Sequence, residues 1–235
     1  TAVGASTLDA NTTGGSNTAV GMQAMGSHTT GDDNTALGHS ALFANTTASN
    51  NTAIGRFALG SNTTGATNTA VGAFALDANT TGADLVALGA YALTKSTTGV
   101  RNTAIGRATL EENTTESDNT AVGHYSLLSN TASNNTGIGS YALKANTTGT
   151  YNVALGVEAL DHNTTGSSNT VVGAYALDAN TTASNNTAVG IQALGSNTTA
   201  SDNTAVGANA LGTNTTGAYN TAVGYGALQL NTTAR

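Results

Sequence analysis

The sequence predicts an all-β protein, a parallel β-solenoid of fourteen 17-residue rungs running as a single repeat array from residue 1 to 235. Three observations predict it. One unit, Asn-Thr-Ala-Val-Gly-x-x-Ala-Leu-x-x-Asn-Thr-Thr-Gly-x-x, recurs every 17 residues. Within the unit some positions are fixed and others free, as expected when like residues stack into columns. The unit is also too short for a helix-turn-helix repeat, which needs about 30 residues or more, and its glycine and threonine content opposes helix.

Positions are numbered 0 to 16 from the first Asn, so that Asn17, Asn34, Asn51 and Asn68 begin successive rungs. Asn-Thr-Ala-Val-Gly is the first predicted strand, and a second is expected in the Ala-Leu region or the Asn-Thr-Thr stretch. Position 4 is Gly in all fourteen rungs, which places there a corner with positive φ or a close backbone approach. Turns are expected beside that glycine and at positions 14 to 16. The register slips once, with 16 residues from Asn119 to Asn135, and a deletion tolerated there marks a turn. At a rise of roughly 4.8 Å per rung, fourteen rungs would extend about 65 Å.

The apolar pair expected in the core is position 3, always Val, Ile or Leu, and position 8, Leu except at Met25. In an ideal strand positions 1 and 3 point one way and 2 and 4 the other, so one face fills the interior and the other meets a partner chain. The pattern leaves open which is which. The nearly invariant Ala at position 2 (Ala19, Ala36, Ala53) would permit close approach of another chain. Asn columns at positions 0 and 11 suit side-chain amide ladders, broken by Leu85, His28 and Ser96. Charged side chains occupy only positions 5, 6, 9, 10 and 14 to 16, which are therefore expected to face water.

The net charge of −7, with six Lys and Arg, argues against a nucleic-acid surface. No run of 18 apolar residues supports membrane insertion, no leader pattern is present, and without cysteine neither disulfides nor thiolate metal sites arise. His28, His39, His124 and His162 form no column that would ladder metal ions, so no metal or cofactor is expected. The aspartates at position 16 (Asp33, Asp84, Asp118, Asp202) are too irregular for stacked calcium sites. A catalytic constellation is a unique, irregular cluster, and none is visible, so no enzyme activity is expected.

Position 6 carries Phe57, Phe74, Tyr91, Tyr125, Tyr141 and Tyr175, a candidate ligand-binding stripe. The plainer reading, that these rings cover the Ala column or seal a contact between chains, is the one adopted. Asn-Thr-Thr also matches the N-glycosylation acceptor at Asn11, Asn45, Asn62 and Asn79, but an amide and hydroxyl ladder needs the same triplet. The Thr12 to Thr232 column raises ice binding, although neighbouring strand residues point to opposite faces and do not give a flat two-column surface.

Thr-Ala-Val-Gly, Thr-Ala-Ile-Gly and Thr-Ala-Leu-Gly, followed by x-x-Ala-Leu and a polar Asn/Thr/Gly stretch, resemble the head repeats of YadA-like trimeric autotransporter adhesins. The match lies at Thr18-Ala19-Val20-Gly21, Thr52-Ala53-Ile54-Gly55, Thr103-Ala104-Ile105-Gly106 and their equivalents. Similar repeats occur in phage-like fibres. The resemblance implies a left-handed parallel β-roll, trimerisation through inner faces, and an extracellular adhesive or spacer role. The unit here is a few residues longer than the family's, and neither coiled-coil stalk nor anchor is present.

A chain that begins at Thr1 reads as a processed product or a segment of a longer array. Thr1 enters at position 1, Arg235 leaves at position 15, and the end rungs lack caps, so end-to-end stacking is expected. The function expected is an extracellular structural fibre or filament subunit, self-assembling as a homotrimer, an end-to-end homopolymer or both. The alternative is the head of a trimeric surface adhesin binding a host, matrix or glycan ligand, with ice binding a third reading.

Overall fold

The computed structural model describes residues 1–233, so the expected exit of the chain at Arg235 lies outside them. The protein is all-β, a parallel β-solenoid with fourteen short strands set 17 residues apart except at the single slip, and no helix occurs among the described residues. Two compact units are present, Thr1–Asp118 and the remainder from Asn119. The first holds β1 (Ala2–Val3), β2 (Thr18–Val20), β3 (Thr35–Leu37), β4 (Thr52–Ile54), β5 (Thr69–Val71), β6 (Val86–Leu88) and β7 (Thr103–Ile105). The second holds β8 (Thr120–Val122), β9 (Thr136–Ile138), β10 (Val153–Leu155), β11 (Thr170–Val172), β12 (Thr187–Val189), β13 (Thr204–Val206) and β14 (Thr221–Val223). Pairing within each unit is parallel and in register, Ala36 opposite Ala53 and Ala188 opposite Ala205 for instance, so each position becomes a column.

The interior corrects the expected core. Position 2 points inward, with Ala19, Ala36, Ala53 and Ala70 fully buried, and position 8 completes the core with Met25, Leu42, Leu59 and Leu76. Position 3 points outward instead, and Leu37, Ile105, Ile138 and Leu155 are among the exposed large side chains. Position 2 is therefore no approach surface for another chain. The reason lies across the coil: a Cβ added at Gly137 would stand 3.2 Å from Cγ of Leu127 and 2.7 Å from Oγ of Ser126. The position 8 Leu and position 7 side chain crowd the space above position 2, which suits a methyl group in most rungs, although the column also takes Val171 fully buried. Gly137 and Ser126 compensate each other, since Ser126 is larger than the usual Ala of its column and its hydroxyl donates to the Gly137 carbonyl at 2.8 Å.

A second strand does not form. After the position 4 corner the chain runs through successive turns, Ala58 N–H donating to the Gly55 carbonyl at 3.3 Å and Asn62 N–H to Leu59 at 3.2 Å. Positions 6 and 8 take positive φ there, as at Phe57 (56°) and Leu59 (51°), so the backbone cannot stay extended. The turns still hydrogen-bond from rung to rung, Leu59 N–H to Ala75 and Thr63 N–H to Thr80. At position 4 both readings hold together: Gly72 has φ of 134°, and a Cβ there would lie 2.6 Å from the Gly89 carbonyl carbon.

Asn fills the gaps in this ladder. At position 0, Asn68 Nδ2 donates to the Gly82 carbonyl, and Asn51 Oδ1 accepts from the Asn68 N–H at 2.9 Å. At position 11, Asn79 Nδ2 donates to Asn62 Oδ1 at 2.8 Å and to the Gly82 carbonyl at 3.0 Å. These amides are buried, and their hydrogen bonds offset the polar cost of that burial except where the column breaks, as at Asn79 Oδ1. The one-residue deletion falls in the turn, where Asn130 reaches the carbonyl of Ala132, two residues on, instead of three.

Candidate functional site

Three surfaces stand apart from the repeated interior. The first is the outward sheet face, where position 1 Thr alternates with position 3 Val, Ile or Leu. Leu37 is 47% exposed and Leu155 44%, so their columns leave branched apolar side chains in solvent on a surface with no covering layer.

The second is the position 6 stripe. In the first unit Phe57, Phe74 and Tyr91 stack in succession, with centroids 5.6 and 5.4 Å apart and planes within 15°. Arg56 lies over both phenylalanine rings at 5.1 and 5.3 Å. In the second unit Tyr125 and Tyr141 meet at 5.6 Å, tilted, and His124 sits edge-on to Tyr141. The rings mostly cover one another, leaving edges and one end for a ligand. Tyr175, 42% exposed, stands beside something different.

That neighbour is a groove of about 340 Å³ in the second unit. Its lining includes Tyr175, Gly195 and Gly212 with the polar side chains of Asp178, Gln192 and Asn209. Gly195 and Gly212 occupy position 9 in consecutive rungs, where neighbouring rungs carry Asp178 and Gln229, so the groove exists because two side chains are missing from a column.

The third surface is a cluster of Asp161, His162 and Asp178, whose potential ligand atoms all lie within 4.8 Å of one another. His162 Nδ1 is 3.1 Å from Asp178 Oδ1, and Asp161 Oδ2 is 3.9 Å from Lys144 Nζ. Asp161 is buried, which corrects the expectation that every charged position faces water. Burial pushes its pKa up, against the pull of Lys144 and His162 and with the repulsion of Asp178 and Glu158. For His162, burial works to lower the pKa, but the hydrogen bond to Asp178 and the charges of Asp178 and Asp161 outweigh it, and the pKa is raised. Inspection of histidine columns alone missed this cluster. Position 9 read down the rungs signals it, since Asp161 and Asp178 are its only carboxylates in consecutive rungs and His162 follows directly.

Other candidates lose their chemistry to the ladder. Asn45, Asn62 and Asn79 are fully buried and hydrogen-bonded, the amide-ladder reading of Asn-Thr-Thr. Position 12 hydroxyls donate to the next rung's carbonyl, as Thr63 Oγ1 does to Thr80 at 2.9 Å, and do not form an outward Thr surface. At position 16, Asp118 is paired with Arg101 at 2.7 Å and Asp84 accepts from Thr67, so these aspartates serve neighbouring rungs.

Fold and surfaces together define a parallel β-solenoid with a uniform interior and a variable exterior. Compared with family models, with curated proteins and with solved structures, the chain finds no match. Among the described residues no helix is long and apolar enough to cross a membrane.

Proposed function

We propose that the chain is a structural fibre subunit, working outside the cell, that associates with copies of itself through its outward sheet face. One observation carries this reading: the column of Val, Ile and Leu at position 3 faces out, although the same strand hides alanine in nearly every rung. Burying such a column is worth roughly 25 cal/mol per Å² of apolar surface removed from water, and every rung adds to it. An identical copy presents the same column at the same rung spacing, so a close-packed trimer would bury it along the array. The resemblance to adhesin head repeats favours three copies and an extracellular setting. Continuation of rungs from one subunit into the next belongs to the same reading, because in-register parallel pairing is the only interaction such a junction needs.

The test is sedimentation of the wild type against Ile54→Lys/Val71→Lys. Wild type should sediment as a trimer or longer assembly, and the double variant as a monomer with an unchanged far-ultraviolet spectrum, since both side chains lie outside the core. A monomeric wild type at high concentration overturns the proposal, and a discrete trimer that never lengthens removes axial growth.

A second reading, the adhesin head, is favoured by the groove beside Tyr175. An aromatic face next to amide and carboxylate groups over a glycine floor matches what a sugar ring presents, an apolar face rimmed by hydroxyls. Binding to immobilised glycans that Tyr175→Ala abolishes would support it. For the rest of the stripe, capture lost on changing Tyr91 and Tyr125 to Ala with assembly intact would make those rings a ligand surface, and lost assembly would make them contacts between chains.

A further inference from the structure

We propose that Asp161, His162 and Asp178 bind one divalent transition-metal ion of the zinc class, which clamps two consecutive rungs together. Asp161 and Asp178 stack in position 9, and His162 occupies the next position of the first of these rungs. Their ligand atoms lie within 4.8 Å of one another. Ligands about 2.0–2.2 Å from a tetrahedral ion stand roughly 3.4 Å apart, so small side-chain rotations close the set. One imidazole and two carboxylates suit zinc, cobalt or manganese better than calcium, which takes six to eight oxygens.

A separate observation points to a missing partner. Oδ1 of Asp161 is buried without any hydrogen-bond partner, and the side chain as a whole is only 9% exposed. A buried carboxylate oxygen is costly to leave alone, and stacking a second carboxylate above it adds repulsion. Lys144 answers only part of this need: its ammonium lies 3.9 Å from the other oxygen and also rests over the Tyr141 ring at 5.1 Å. Its side chain is 39% exposed, so it can withdraw when an ion enters. A dipositive ion would balance the two carboxylates, and the solvent-facing side of the cluster, where His162 is 63% exposed, gives it an entry path.

The test uses the full chain without a histidine tag, stripped with chelator and titrated with ZnCl2 by calorimetry. One ion per chain should bind, the melting midpoint should rise with zinc, and magnesium and calcium should bind at least tenfold more weakly. Exposed His162 can be changed without disturbing the fold, so His162→Ala and Asp178→Asn should each weaken zinc binding tenfold or more with an unchanged far-ultraviolet spectrum. Cobalt should give a visible absorption band in the wild type that His162→Ala loses. No zinc binding by the wild type, or equal binding by wild type and His162→Ala, overturns the proposal. Loss of binding only in His124→Ala, the control at a half-buried imidazole of the same unit, overturns it as well.

Discussion

Replacing Ser96 by Asn should stabilise the protein, because the position 11 ladder breaks there and leaves polar atoms stranded on both sides. Asn79 Oδ1, Ser96 Oγ and both Nδ2 and Oδ1 of Asn113 are buried without a hydrogen-bond partner, and these three residues are consecutive members of the column. From Asn45 to Asn79 the column is continuous, with amide-to-amide distances of 3.0 Å from Asn62 to Asn45 and 2.8 Å from Asn79 to Asn62. An Asn at 96 would donate to Asn79 Oδ1 and accept from Asn113 Nδ2, and its backbone already has the rung spacing that accommodates Asn. Rescuing two stranded atoms at roughly 1–3 kcal/mol each, less about 1–1.5 kcal/mol for ordering the longer side chain, gives a gain of about 0.5–5 kcal/mol. With a urea slope of about 1–3 kcal/mol/M, the midpoint should rise by about 1 M at unchanged slope. Ser96→Ala, which removes one stranded hydroxyl and rescues nothing, should shift the midpoint far less. An unmoved or lowered midpoint in Ser96→Asn would mean that these atoms are satisfied without the ladder, and the physical case for Asn at position 11 would fail.

Gly72→Ala combines a φ of 134° with a Cβ 2.6 Å from the Gly89 backbone, whereas Gly224→Ala has a φ of 125° and nothing within 4 Å. Strain and overpacking together should cost about 2–6 kcal/mol at Gly72 and strain alone about 1–3 kcal/mol at Gly224, read from paired denaturation curves. Asn163→Ala deletes donations to Asn146 Oδ1 and the Gly166 carbonyl, strands Asn146 Oδ1 and leaves Asn180 Nδ2 with the Ala183 carbonyl alone, so it should lose about 2–4 kcal/mol by the same measurement. At Glu116, burial raises the pKa, but hydrogen bonds from the Thr114 and Thr115 N–H groups and the Thr115 hydroxyl prevail and lower it below the ordinary 4.5. The contribution is therefore present above pH 4.5 and lost as pH falls through the depressed folded value, so wild type and Glu116→Gln should differ at neutral pH and converge in acid.

The repeat, the strand at Thr-Ala-Val, the glycine corner and the Asn ladders were legible in the sequence because each follows from a column that tolerates few residue types. The facing of the strand was not. Alternation says that Ala19 and Val20 point to opposite sides, and it is symmetric, so hydrophobicity alone placed Val20 inside. What decides is a contact between distant positions: the position 8 Leu crosses the coil and reaches position 2, as the space above Gly137 shows, and the tight fit beneath it favours Ala, with Val171 the one larger residue buried in that column. The absence of a second strand has a similar origin, since Leu59 and its column equivalents away from the end rungs adopt positive φ while fully buried. Leu pays a local conformational penalty there that propensity does not anticipate, offset by the core contact it gains. Asp161 escaped for another reason, because the charge pattern across columns masked one position at which a carboxylate turns inward.

An array in which most rungs share one interior separates two kinds of property. A property carried by a column, such as the outward Val and Ile face, scales with the number of rungs. A property that occurs once arises only where columns depart from type, as at Asp161, His162 and Asp178 or at the paired glycines 195 and 212. Deleting residues 51–67 distinguishes them, because it removes one complete rung and joins Asn50 to Asn68, preserving register. Nearest-neighbour stability makes such a chain fold, with one rung interface fewer. Self-association should weaken by the share of apolar face removed, while zinc stoichiometry and affinity stay as in the wild type. Zinc affinity falling along with association would show that the cluster senses the whole array, and the separation of column from departure would no longer hold.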